Sequence, residues 1–268
     1  MSDLVSITIE NHVAHVRLNR ADKYNALNAE MFEAIVDAGK SVSADPSIRA
    51  VVLFGEGKGF CAGLDFASFM AEGDLATGKG FKFFDKPEDS PANYAQLVGY
   101  VWKQVPVPVI AAIHGAAYGG GFQLALAADI RLAAADARFS IMEIKWGLIP
   151  DMSGTQTLRD LVRLDVAKEL TFTGRVVEAE EAAKLGLITR ICDNPLEEAV
   201  TMAQEIAGKS PDAIAAGKQL LEGAWHGSSV DGLDLEARLQ KTIIGQANQI
   251  EAVMANFENR PPSYKNRN

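Results

Sequence analysis

Two carboxylates in a mostly apolar stretch are the first residues of this chain that could do chemistry. Glu143 and Asp151 lie within residues 139–151, whose other side chains are mainly Ile, Leu, Met, Phe and Trp. Apolar surroundings raise the pKa of a carboxyl group because desolvation disfavours its charged form. A raised pKa suits proton transfer near neutral pH. The pair therefore indicates general acid–base chemistry, although each acid taken singly also fits an exposed loop.

A glycine run lies upstream of the acids. The apolar stretch Val109–Ile113 predicts a buried strand, Gly119 to Gly121 follow it, and small residues from Phe122 to Ala128 predict a helix. Glycine has no Cβ, so a ligand atom can approach the peptide N–H groups closely. The first N–H groups of a helix are unpaired and carry the positive end of its dipole. This junction is predicted to stabilise a negative oxygen, unless its glycines only permit tight packing.

A second junction is built in the same way. The apolar stretch 49–54 predicts a strand that ends in a glycine-rich turn, and Asp65 is predicted to cap a short helix from Phe66 to about Met70. The turn presents the N–H of Leu64 beside Gly63. It completes neither a Walker loop nor a GxGxxG motif. If the two junctions face each other, they form an oxyanion hole, and the lack of a recognisable nucleophile motif favours an enolate as its ligand.

Composition excludes several classes of protein. The chain has 268 residues, a net charge of −9 and a pI near 5.0, which disfavour nucleic acid or an anionic membrane as a partner. Two cysteines predict neither a disulfide framework nor a metal site. There is no signal-peptide pattern and no apolar run long enough to span a bilayer. We therefore expect a cytoplasmic protein.

Strands and helices alternate along the chain and predict an α/β fold. Strands at 5–9 and 13–18 precede a helix capped by Asn28 that runs to about Ala44, which makes a β-β-α unit. Residues 71–92 predict a surface loop, either a lid over a substrate entrance or a loop without a role. Helices are predicted at 92–104, 153–162 and 165–172. We predict an α/β core over 1–194 and a helical C-terminal region over 195–268, which covers a site or forms a subunit interface.

Five motifs along this chain together resemble those of one known family. The resemblance covers roughly residues 5–192, with the motifs in the family's order and spacing. The motifs are Asn25-Ala-Leu-Asn, Gly-Lys-Gly-Phe-Cys-Ala-Gly-Leu-Asp65, His114-Gly-Ala-Ala-Tyr-Gly-Gly-Gly-Phe-Gln-Leu-Ala, Ala-Arg-Phe139 with Glu143, and Thr173-Gly-Arg with Glu181-Ala-Ala-Lys-Leu-Gly-Leu. Together they resemble the enoyl-CoA hydratase/isomerase (crotonase) family.

This resemblance implies a crotonase-like spiral of β-β-α units that binds an acyl-CoA thioester and assembles into homotrimers or dimers of trimers. Coenzyme A would enter as part of the substrate, with no separate cofactor. The N–H groups of Leu64 and Gly120 would hold the thioester oxygen. Lys23 and Lys58 would contact phosphates or remain solvated lysines. The residues implied to line the substrate and its pantetheine and adenine path are Ala26, Ala62, Leu64, Asp65, Phe66, Ala67, Gly120 and Gln123.

The resemblance does not identify the reaction, which depends on the residues at three positions. The family's hydratases hold a water between two glutamates, whereas this chain has Glu143 at one position and Gln123 at the other. Glutamine can hydrogen-bond a water but cannot exchange a proton with it. Asp151 matches the second acid of the family's dienoyl-CoA isomerases, although those isomerases usually have an acid where this chain has Gln123.

We therefore predict double-bond isomerisation by Glu143 and Asp151. The alternatives are an enoyl-CoA hydratase, a dehalogenase-like use of Asp151 as a nucleophile, and a non-catalytic member that binds acyl-CoA or a protein.

Overall fold

The computed structural model describes residues 3–71, 82–88 and 90–267. Half of the loop predicted over 71–92 lies outside these ranges. Its described part includes a 3₁₀ helix, Lys82–Phe84. There the Phe83 ring packs against Phe32 and Phe69, with centroid distances of 4.7 and 5.5 Å. This end of the segment is therefore attached to the core beside the first long helix.

Strands of the described residues form two sheets. In chain order they are β1 (Val5–Glu10), β2 (Val13–Leu18), β3 (Ala50–Gly55), β4 (Val109–Ile113), β5 (Ala116–Tyr118), β6 (Ile130–Ala133), β7 (Arg138–Ser140), β8 (Val177–Glu178) and β9 (Arg190–Ile191). The larger sheet has the order β1-β2-β3-β4-β6-β9 and is parallel except for the β1–β2 hairpin. The smaller sheet has the order β5-β7-β8. Strands β4 and β5 are separated by two residues and belong to different sheets.

Helices cover both faces of the larger sheet and build the C-terminal region. They are α1 (Ala29–Ala44), α2 (Phe66–Ala71), α3 (Tyr94–Gln104), α4 (Gly120–Leu126), α5 (Gly154–Leu161), α6 (Leu164–Thr173), α7 (Ala179–Leu185), α8 (Pro195–Ala207), α9 (Pro211–Ala224), α10 (Ser229–Ile243) and α11 (Ala247–Phe257). No helix of the described ranges is long and apolar enough to cross a membrane.

Local sequence signals explain most of these boundaries. The Asn28 side chain accepts a hydrogen bond from the N–H of Met31 at 3.0 Å, so α1 begins where predicted. Helix α3 begins at Tyr94, two residues later than predicted, because Asn93 and Gln96 form a capping box. The β1–β2 turn is centred on Asn11 and His12, both with positive φ, so β1 ends at Glu10, one residue later than the predicted strand 5–9.

Alternation along β2 divides the buried side chains between two cores. Ala14, Val16 and Leu18 face the main core, which α1 covers, whereas Val13 faces a second core on the other side of the sheet. Small side chains let α8 lie close to that second face. Those side chains are Ala199, Ala203 and Ala207, spaced four residues apart. Part of the 195–268 region thus packs directly on the sheet.

Candidate functional site

The two glycine-rich junctions meet in space. The N–H of Cys61 donates to the carbonyl of Ala116, and the N–H of Tyr118 donates to the carbonyl of Cys61, both at 3.0 Å. A Cβ added at Gly63 would lie 2.6 Å from the Tyr118 carbonyl oxygen and 3.5 Å from the nitrogen of Gly120. The two junctions therefore face each other, as the predicted oxyanion hole requires.

Helix α4 begins two residues earlier than predicted, at Gly120 rather than Phe122. Gly119 precedes it with φ 52° and ψ −124°, a conformation that favours glycine. The next two glycines lie inside the first turn, since a Cβ at Gly121 would collide with Cys61 and one at Gly120 would press on Met152. The predicted start was wrong because close packing, which the sequence does not show, offsets the low helix propensity of glycine.

Two backbone N–H groups at this meeting point have no acceptor in the described part of the chain. On either side of Leu64, the carbonyl of Gly63 and the N–H of Asp65 pair with Leu27, at 2.8 and 2.9 Å. Backbone groups alternate in direction along an extended segment, so the Leu64 N–H faces away from Leu27. The Gly120 N–H opens helix α4, where no intrahelical acceptor exists. Both groups are free to donate to a ligand.

Glu143 lies beside this meeting point. It is in the 3₁₀ helix Met142–Trp146 and is 8% exposed. A Cβ at Gly119 would lie 3.5 Å from its Oε1. Burial is the main cause that raises the pKa of Glu143, and the charge of Asp151 adds to it, while the hydrogen bond from Gln123 opposes it. Its Oε2 is buried without a hydrogen-bond partner in the described residues, so this oxygen is available to a substrate.

Asp151 occupies a tightly built turn before α5. It is half-buried, and burial raises the pKa of its carboxyl group. Ser153 has φ 67°, an uncommon value for a residue with a side chain. Helix α3 packs on this turn at Gly99, where a Cβ would lie 2.5 Å from the Ser153 Oγ. The turn that carries the second acid is therefore held by its neighbours rather than by local preference.

Gln123 connects the segments that carry the two acids. Its side chain is buried, and Nε2 donates to Glu143 Oε1 at 2.6 Å. Its Oε1 accepts from the N–H groups of Met152 and Gly154, at 2.9 and 3.1 Å. A hydrogen bond to a charged group contributes about 1.5–3 kcal/mol. Sequence reasoning placed Gln123 among the substrate-binding residues and missed this bridge, which uses its amide within the protein.

The other predicted lining residues surround the first junction. The N–H of Ala62 donates to the carbonyl of Tyr24 at 2.9 Å, which brings Ala26 next to the junction. Ala67 is exposed on α2. The two candidate phosphate lysines are exposed as well: Lys23 and Lys58.

Asp65 uses its carboxylate within the protein rather than for a ligand. Its oxygens accept from the Ser68 N–H at 3.1 Å and the Ser68 Oγ at 2.7 Å, and Arg20 lies 2.7 Å away. Burial alone would raise the pKa of Asp65, but the hydrogen bonds from Ser68 and Arg20 hold it below its ordinary value. The predicted cap of α2 is confirmed, and Arg20 is a supporting residue that sequence reasoning missed.

Asn25 and Trp146 are further residues whose place the sequence did not predict. Asn25 is fully buried, and its Nδ2 donates to the carbonyls of Glu56, Gly59 and Phe60 at 2.9 to 3.1 Å. It thereby shapes the glycine-rich turn. Its place in the Asn25-Ala-Leu-Asn motif was the available signal. Trp146 stacks on Phe66 with ring centroids 4.2 Å apart, a long-range contact that no motif indicated.

Comparisons with known proteins agree with this fold. The family model for enoyl-CoA hydratase/isomerase matches residues 8–267. A mitochondrial Delta(3,5)-Delta(2,4)-dienoyl-CoA isomerase from Mus musculus is 35% identical, over 94% of this chain and 78% of its own length. A mitochondrial methylglutaconyl-CoA hydratase from the same organism is 32% identical, over 92% and 78%. The solved structure of an enoyl-CoA hydratase from Bacillus anthracis has a TM-score of 0.86 and 30% identity, covering 98% and 99%.

The chain belongs to the enoyl-CoA hydratase/isomerase family. The predicted family and its crotonase-like α/β fold are confirmed. The relatives include both hydratases and isomerases at similar identity. Membership therefore does not choose the reaction, which has to be argued from the residues of the site.

Proposed function

We propose that this protein isomerises a carbon–carbon double bond of an enoyl- or dienoyl-CoA thioester. The observation that carries the proposal is the bridge made by Gln123. Its carbonyl oxygen already accepts two backbone N–H groups, and its amide cannot exchange protons. A water held between two acids, as hydration requires, has only Glu143 at this position. Asp151 is the second acid nearby, on the other side of the same bridge.

The substrate's carbonyl oxygen would lie between the N–H groups of Leu64 and Gly120. Donors fixed by the fold stabilise the charge that develops when a neighbouring C–H bond is broken. One carboxylate takes that proton, and the electron pair moves into the enolate. The other carboxyl group returns a proton further along the acyl chain, and the enolate collapses to the shifted double bond. No water is consumed, and the product has the mass of the substrate.

A panel of acyl-CoA esters tests this proposal directly. Enoyl-, 3-enoyl- and dienoyl-CoA esters are incubated with the protein, and the products are examined by mass and by absorbance. Unchanged mass with changed absorbance supports isomerisation, whereas a gain of one water shows hydration. Thioesters that raise Tm but stay chemically unchanged would support the non-catalytic alternative.

Hydration remains the second candidate because of one feature of Glu143. Its Oε2 is buried and has no hydrogen-bond partner among the described residues, so it could hold a water alone. A hydratase is also among the relatives. The third alternative, Asp151 as a nucleophile, would require a covalent ester with the acyl group, which mass analysis of the protein detects.

Position 123 gives a prediction that separates the first two candidates. We expect the wild type to hydrate crotonyl-CoA poorly and Gln123→Glu to hydrate it faster. The new carboxylate would keep the two backbone N–H donors on one oxygen and place the other about where Nε2 now meets Glu143 Oε1. Two carboxylates this close share a proton, which supplies both an acid and a base. Hydration is followed by the loss of enoyl absorbance, with Gln123→Met as the control that loses the bridge without adding an acid.

Two results would contradict this account of Gln123. One is a wild type that hydrates crotonyl-CoA at rates typical of enzymes, about 1 to 10³ per second. The other is a Gln123→Glu variant that gains no hydration relative to the Met control.

The pH dependence of isomerisation follows from the two raised pKa values. The base must be ionised, so kcat/KM is expected to fall on the acid side at a pH above about 4.3, the ordinary pKa of glutamic acid. The proton donor must be protonated, so kcat/KM falls again on the alkaline side. The two apparent values belong to the pair of carboxyl groups. Asp151→Asn should remove one limb, and an acid limb at the value of an exposed glutamate would contradict the burial argument.

The two raised pKa values also make the stability of the fold depend on pH, and they favour the folded state at low pH rather than at high pH. The folded protein holds the Glu143 and Asp151 protons more tightly than the unfolded chain does, because both pKa values are raised. Their contribution to the free energy of unfolding is therefore present below the unfolded pKa values and is lost as the pH rises through the folded ones.

A further inference from the structure

Contacts between described residues form a ring that includes the groups proposed to act on the substrate. Gly63 approaches the Gly120 nitrogen on one side, and the Glu143 carboxylate lies over Gly119 on the next. The Phe66 N–H donates to the Leu64 carbonyl at 3.0 Å, which ties α2 to the first junction. The remaining side of the site lies between α2 and the 3₁₀ helix that carries Glu143.

That side is occupied by the aromatic stack of Phe66 and Trp146. The ring centroids are 4.2 Å apart and the planes are inclined by 27°. In a 3₁₀ helix, residues three apart lie on the same face, so Trp146 and Glu143 share one. The stack therefore lies on the same face of this 3₁₀ helix as Glu143, whose buried Oε2 has no hydrogen-bond partner in the described residues.

The chain between the two acids supplies more apolar surface on this side. Trp146 is 53% exposed, Leu148 44% and Ile149 73%. Neighbouring exposed side chains of this size are unusual unless they contact a partner or ligand. In the chain they lie between Glu143 and Asp151, the two groups proposed to move protons on the acyl carbons. The place of this segment between the two acids favours the acyl part of the substrate as its ligand, which assigns Phe66 to the acyl part rather than to the pantetheine and adenine path that the resemblance implied.

We propose that the aromatic stack limits the length of the acyl chain, so that short acyl-CoA esters are the preferred substrates. This inference rests on the proposed function for its substrate class. A chain that has passed Glu143 meets the stack, which joins α2 to the 3₁₀ helix across the remaining side. Removing the indole would open that side towards solvent, because half of Trp146 is already exposed there. Longer chains could then extend outward.

The test compares three variants on a series of esters. Trp146→Ala removes the stack, Trp146→Phe keeps an aromatic ring opposite Phe66, and Ile149→Ala removes exposed apolar surface from the same segment without touching the stack. Two quantities are measured from crotonyl to decenoyl chains: kcat/KM for isomerisation, and Kd for the matching saturated acyl-CoA esters by calorimetry. The Kd series reports length selectivity without requiring turnover.

We expect the wild type to favour the short esters. In Trp146→Ala, the ratio of decenoyl to crotonyl kcat/KM should rise by about tenfold or more, since single methylenes in a pocket are discriminated by roughly 10- to 200-fold. The corresponding Kd ratio should move in the same direction. Trp146→Phe should keep the wild-type order of substrates, and Ile149→Ala should change the decenoyl-to-crotonyl ratio less than Trp146→Ala does.

The outcomes separate this inference from the proposed function. The same length profile in wild type and Trp146→Ala overturns the role of the stack, whatever reaction is found. Length-selective Kd values that Trp146→Ala alters, without isomerisation of any ester, support the stack and overturn the proposed reaction. No binding of any acyl-CoA ester overturns both. A change in Ile149→Ala as large as that in Trp146→Ala would also overturn the role of the stack, since general apolar surface would then set the length selectivity.

Discussion

Glu143→Gln and Asp151→Asn are each expected to lower kcat/KM for isomerisation by about 10² to 10⁴, the range for general acid–base groups. The double variant should lose little more than the worse single one. Each acid handles a proton that the other must replace, so removing either stops the same cycle. Groups that act as a unit are not additive in this sense. The measurement is kcat/KM for the four proteins on one enoyl-CoA ester.

Stability supplies the control for these variants. Burial disfavours ionised Glu143, so the neutral glutamine should not lower the free energy of unfolding near neutral pH. Its carbonyl can still accept the hydrogen bond from Gln123 Nε2. Loss of activity without loss of stability, measured by urea unfolding, then identifies a chemical role.

Two results would change the assignment. Losses that multiply in the double variant would show that the acids act in separate steps. An Asp151→Asn variant that keeps its rate would leave Glu143 acting alone.

Gly120→Pro is expected to lower kcat for isomerisation by about 10² to 10³ while acyl-CoA esters still bind. Proline has no N–H, so one of the two donors proposed for the thioester oxygen disappears, and loss of one such donor has this effect in other enzymes. Proline is tolerated at the first position of a helix, where Gly120 lies.

Gly120→Ala is the matched control, because the structure shows a second effect of any side chain at this position. An added Cβ would lie 2.5 Å from the Met152 Sδ and 3.1 Å from a methyl group of Leu27. The Met152 thioether is flexible and can shift. Alanine introduces this crowding but keeps the N–H, so the difference between Pro and Ala reports the loss of the donor together with the ring carbon that takes its place.

Leu64→Ala completes the comparison. The Leu64 N–H belongs to the backbone, so this variant should retain much of the activity. Equal activity of Gly120→Pro and Gly120→Ala would overturn the assignment of the donors, whereas a large loss in Leu64→Ala would show that its side chain matters.

Local features were predictable from the sequence because neighbouring residues decide them. Asn28 caps α1 through the N–H three residues ahead, and Asp65 caps α2 in the same manner. The alternation of β2 appears as the two faces of one strand, with Ala14, Val16 and Leu18 facing the main core. The glycine-rich junctions, the two acids in an apolar stretch and the family resemblance likewise depend only on residue types and their spacing.

The tertiary structure decided which of these groups meet. Gln123 lies 20 residues from Glu143 and about 30 from the Asp151 turn, and its hydrogen bonds join the segments that carry the two acids. The start of α4 at Gly120, the engagement of Asp65 by Arg20 and the stacking of Trp146 on Phe66 also depend on contacts between distant segments. Side-chain amides, carboxylates and rings can pair with many partners, and only the packing of the folded chain selects one of them.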